Sequence, residues 1–165
     1  MLAVFAGIFA FLGVGWGEVQ GWHNKWADSP EYAEQVFAEL VPIDRVLASR
    51  RYHHWGPDWP NWDCTFAVVE LATDAPELPV TSDKNATNWK LAFGGEWLET
   101  PAAPFENDAF DAVDFCEANW PAEVRDRVAL ALAEPGSWYI RSRLGDVVFL
   151  YSKFHGLAAR IRFGD

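Results

Sequence analysis

Hydrophobic and polar positions divide this chain into segments of different character. Residues 1–17, MLAVFAGIFAFLGVGWG, carry no charged side chain, and the first charge is Glu18. As a helix, 17 residues reach only about 25 Å, short of a hydrocarbon core of about 30 Å. Continuing to Trp22 brings the span to a workable length. Trp16, Trp22 and Trp26 then gather at one end, where amphipathic rings favour the membrane–water interface. The pattern predicts a hydrophobic membrane-anchoring helix over residues 1–22. Two readings compete: a cleaved leader and a buried core helix. A leader would want a basic start and a small-residue cleavage site, and Val14-Gly15-Trp16-Gly17 is a poor one. Ala3 and Gly7, Ala6 and Ala10, and Gly13 and Gly17 are each four apart. This small-xxx-small spacing lets helix backbones approach, and so predicts a membrane-protein partner.

Helical spacing begins at Ser29. Ser29-Pro30 offers an N-cap followed by proline at the first helical position, and Tyr32, Val36, Phe37 and Leu40 form the apolar stripe. Pro42 ends or kinks it, and Ile43 to Ser49 is expected to add a short helical turn. Residues 52–63, YHHWGPDWPNWD, are punctuated by Gly56, Pro57 and Pro60 and must be loop. Cys64 to Leu71, CTFAVVEL, is apolar on both faces and reads as a buried strand. Residues 72–87 form another loop, followed by a short strand over 88–93. Two helices come next. Asn107 or Asp108 caps one that carries Phe110, Val113 and Cys116 on one face. Pro121 opens the other, with Val124, Val128, Ala131 and Leu132 as its stripe. Residues 137–144, 146–154 and 157–163 alternate as a three-stranded antiparallel meander turning at Gly145 and Gly156. The expected fold class is therefore α+β: an N-terminal transmembrane helix, then one small domain over 23–165. That domain holds three to four helices and the C-terminal meander.

Composition narrows the function. The 165 residues are 50 % hydrophobic and include 10 Trp, enough for a packed core and against disorder. A net charge of −11 argues against a nucleic-acid binder, which needs a basic surface for phosphates. The charge is uneven, with residues 99–134 holding nine acids against two bases and residues 135–165 five bases against two acids. Alternation places Arg141 with Arg143, and Arg160 with Arg162, on shared strand faces. If Lys153 faces the same way, the sheet has one basic side with Tyr139 and Tyr151 between the charges. That side suits solvent or, more sharply, an anion or lipid headgroup.

Candidate chemistry is sparse. Cys64 and Cys116 are the only cysteines, with no C-x-x-C or paired-histidine spacing for zinc. Both lie on apolar faces, so an exported domain would join them in a disulfide. Closing a loop of about fifty residues would stabilise by up to about 4 kcal/mol. No G-x-S-x-G elbow is present, and His53 and His54 in the loop lack a partner that would name a reaction. No metal site or cofactor is expected. Asp108, Asp111 and Asp114 make an acidic stripe without the turn glycine and terminal Glu of a calcium loop.

Trp55, Trp59 and Trp62, with His53 and His54, remain as the candidate binding surface. Pro57 and Pro60 keep the loop out of regular structure, and Trp59 between them is expected to be the most exposed. Such rings also fold back onto cores, because Trp is highly buried on average. The function expected is a membrane-tethered extracytoplasmic binding domain, an accessory subunit of a membrane complex. A carbohydrate-binding module using the tryptophan loop and a small hydrolase with a histidine base are the alternatives. The N-terminal flank has only the positive terminal amine, while residues 18–49 carry six acids against two bases, so the N-terminus is expected inside and the domain outside, in the periplasm if the source is bacterial.

Overall fold

The computed structural model describes residues 29–37, 40–51, 64–80, 96–103, 111–116, 120–142 and 144–163. Helix α1 (Pro30–Phe37) leads into strand β1 (Ile43–Arg51), which pairs antiparallel with β2 (Cys64–Leu71). The two-residue β3 (Leu98–Glu99) follows, then helices α2 (Ala112–Cys116) and α3 (Ala122–Ala133). Strands β4 (Trp138–Arg141), β5 (Val147–Ser152) and β6 (Leu157–Phe163) complete the chain. All six strands form one antiparallel sheet in the order β1-β2-β6-β5-β4-β3.

This architecture corrects the expected fold class. The C-terminal strands are half of a six-stranded sheet, because β6 continues across to β2, pairing Cys64 with Phe163 through Glu70 with Leu157. Ile43 to Ser49 is strand, not helical turn. Its apolar residues Ile43, Val46 and Leu47 lie at i, i+3 and i+4, which imitates a helix face. The irregularity between Ile43 and Arg45 resets the alternation of β1 so that Ile43 and Val46 pack on one core, while Leu47 packs on the other. Three helices are present among the described residues, none long and apolar enough to cross a membrane. The transmembrane helix is therefore no part of the described fold, and residues 1–22, with Trp16, Trp22 and Trp26, lie outside the described residues. So do residues 88–93 and the expected caps Asn107 and Asp108; in the described part of α2, Asp111 Oδ1 accepts from the Val113 amide at 2.9 Å.

Each face of the sheet carries its own core. On one, α1 lays Tyr32, Ala33, Val36 and Phe37 over Ala67, Val69, Phe149, Tyr151 and Ala158. On the other, α2 and α3 bring Val113, Cys116, Val124, Val128 and Ala131 onto Phe66, Val68, Val148, Leu150, Leu157 and Ile161. Alternation along β2 and β6 assigns successive residues to opposite cores, so both strands are apolar on both faces. Ser49 fixes where α1 starts: its hydroxyl donates to the Ser29 carbonyl at 2.6 Å, and its own carbonyl accepts from the Ser29 amide at 3.2 Å.

Candidate functional site

Strand register builds a basic cluster beside the first turn of α1. In an antiparallel pair, directly opposed residues point to the same face. One cross-strand row on the α1 face is Ser49, Ala67, Arg160 and Phe149; the next is Arg51, Thr65, Arg162 and Val147. The small residues Ala67 and Thr65 on β2 are the floor between flanking arginines. Tyr32 comes from α1 above this floor, and its hydroxyl accepts a hydrogen bond from Arg160 Nη1.

Arg160 is only 7 % exposed, and its guanidinium lies 5.9 Å from the centre of the Phe149 ring. Its Nε is buried without a hydrogen-bond partner among the described residues, and no carboxylate there forms an ion pair with it. Burial lowers the Arg160 pKa, opposed by Tyr32 and aided by Arg162. Burial raises the Tyr32 pKa, while Arg160, Arg51 and Arg162 pull it down. Three cations therefore act on one phenol. Arg162 is half-buried and Arg51 exposed, so the cluster runs from the interior to the surface.

Several other charged groups are paired away from this cluster. Glu70 accepts from Arg45 Nε at 2.5 Å and from Arg127 at 3.4 Å, and the Arg45 hydrogen bond is the first cause of its lowered pKa. Arg141 pairs with Asp111 at 3.2 Å, and Ser142 donates to Asp146. Lys153 donates to the carbonyls of Ala72 at 3.3 Å and Thr73 at 2.7 Å.

These placements divide the expected basic side. Arg160 and Arg162 share a face as alternation required. Arg141 opposes Val148 and so belongs to the α2–α3 face. Tyr139 and Tyr151 fall on opposite faces, and Arg143 lies outside the described residues. Arg51 and Tyr32 are the members that sequence reasoning misses: Arg51 lies just beyond the expected turn of Ile43 to Ser49, and Tyr32 belongs to an apolar stripe.

Cys64 and Cys116 are joined in a disulfide, with Cα atoms 5.4 Å apart. It ties the start of β2 to the end of α2. His53, His54, Trp55, Trp59 and Trp62 lie outside the described residues. Among the described residues no group of three His, Cys, Asp or Glu could hold a metal. Ser137 and Ser152 share a 2.7 Å hydrogen bond but are fully buried, out of reach of a substrate. What the described structure brings together is a cluster of three arginines and one tyrosine, graded from buried to exposed. Compared with protein families, curated proteins and solved structures, the chain matches none.

Proposed function

We propose that this chain is an exported, disulfide-stapled domain that works by binding, as an accessory subunit of a membrane complex. In this reading the uncharged N-terminal segment holds the domain at a membrane, with the domain on the extracytoplasmic side. The observation that carries it is the Cys64–Cys116 bridge. Disulfides form and persist in oxidising compartments and are rare in the reducing cytosol. The support for membrane attachment is the uncharged run of residues 1–17 and the tryptophans that follow it.

A reporter active only in the cytoplasm, fused after Asp165, is expected to give no signal; strong activity would end this topology. Deleting residues 1–22 is expected to release the protein from the membrane fraction. Thiol labelling of the denatured, unreduced protein is expected to find neither Cys64 nor Cys116 reactive until a reductant is added.

A further inference from the structure

The geometry points to a phosphate-type oxyanion site on the α1 face, formed by Arg51, Arg160, Arg162 and Tyr32. This goes beyond the proposed function and does not depend on where the protein resides. Four observations converge on it.

The first is a buried cation with no carboxylate partner among the described residues. Arg160 is nine-tenths buried, its Nε has no partner among the described residues, and its one side-chain hydrogen bond there goes to the neutral Tyr32 hydroxyl. A buried guanidinium is costly unless paired, and a phenol supplies no counter-charge. The second is accumulation of like charge. Arg162 lies two residues further on the same strand face, about 6.8 Å along the chain direction, and Arg51 stands two strand spacings away, about 10 Å. Thr65 and Ala67 leave the space between them low. Packing three like charges together costs Coulomb energy that a bound anion offsets.

The third is donor direction. Tyr32 accepts from Arg160, so its own proton is left for another acceptor; a hydroxyl carries both functions. Donors thus come from β1, β6 and α1. A tetrahedral oxyanion presents acceptors in several directions, whereas a carboxylate presents them in one plane, and arginine forks match phosphate oxygens in pairs. The fourth is access. The graded exposure from Arg160 through Arg162 to Arg51 opens the cluster at the sheet end. The carboxylates of Glu70, Asp111 and Asp146 are bonded elsewhere, and Glu31 on α1 is exposed and accepts from Ser29 Oγ at 3.4 Å.

The test uses the full chain purified in non-ionic detergent. Inorganic phosphate is titrated by calorimetry at constant ionic strength, and vesicles of phosphatidylglycerol or phosphatidylcholine are offered in a co-sedimentation arm. Saturable binding of phosphate, or selective retention on phosphatidylglycerol, is expected. The first outcome identifies a free anion as the ligand and the second a lipid headgroup. The R51Q/R162Q variant, altered only at the exposed and half-buried members, is expected to lose affinity at least tenfold while its circular dichroism is unchanged. Tyr32→Phe is expected to lose several-fold. Arg125→Gln, an exposed arginine on α3, is the control and should bind as the parent does. Absence of binding in both arms, or equal binding by R51Q/R162Q and parent, overturns the site.

Discussion

The two faces of the sheet are made by the same strands, yet they are unlike. The face under α2 and α3 is a sealed apolar core, stapled by Cys64–Cys116. The face under α1 begins the same way, with Phe37 fully buried, and ends in Tyr32 and three arginines. Alternation lets one strand do both. Ala159 and Ile161 of β6 face the closed core, while Arg160 between them faces α1. A binding site can then be carried on one face while the other supplies rigidity.

The largest expected effect tests where the faces are alike. Phe37→Ala at the apolar end of α1 should cost about 3–5 kcal/mol, and Leu150→Ala on the opposite face about 2–5 kcal/mol. Denaturant unfolding measures both. If Phe37→Ala costs under about 1 kcal/mol, the α1 face is not a core and the comparison fails.

Next comes the staple. The bridged cysteines are 52 residues apart, so replacing both with alanine should cost about 2–4 kcal/mol. Phosphate binding by the folded double variant should be unchanged, because the bridge belongs to the other face. Coupled loss of both would show that the faces are not separable.

Arg160 separates them by sign. Arg160→Met keeps the packing against Phe149 and removes a buried charge without a carboxylate partner among the described residues. Replacing buried charge with apolar volume is often neutral or stabilising, so a gain of about 1–2 kcal/mol is expected in phosphate-free buffer. A loss above about 2 kcal/mol would make Arg160 a structural member of the core.

How far this contrast could be read from the sequence follows from the same geometry. β2 and the last three strands were legible because long apolar or alternating runs between turn glycines admit one period. β1 was not, since a register irregularity and apolar residues on both faces gave an extended strand a helical spacing. The cysteines were legible because only two exist and both lie on apolar faces. The arginine cluster was half legible. Alternation put Arg160 beside Arg162, but joining Arg51 and Tyr32 to them needs the register of β1, β2 and β6. Register is a long-range property that local pattern does not contain.

The smallest effect is alkaline and should come from the α1 face. Tyr151 is fully buried there, donates its hydroxyl to the Pro76 carbonyl, and has its pKa pushed up to about 12, first by burial and then by Glu77. Tyr32 shifts in the same direction. A phenol whose folded pKa lies above its unfolded value of about 10 keeps its proton longer in the native state. Its contribution is therefore full below pH 10 and is lost as pH rises from about 10 towards about 12. Two shifted units set a ceiling of about 2.7 kcal/mol for Tyr151. Urea midpoints at pH 9, 10 and 11 should fall progressively for the parent and less steeply for Tyr151→Phe. Bound phosphate should enlarge the part due to Tyr32, because an anion holds the donated proton more tightly and raises the folded pKa further. An alkaline slope unchanged by Tyr151→Phe would mean that this phenol has the same pKa folded and unfolded. The α1 face would then differ from its opposite in the arginines and Tyr32 alone.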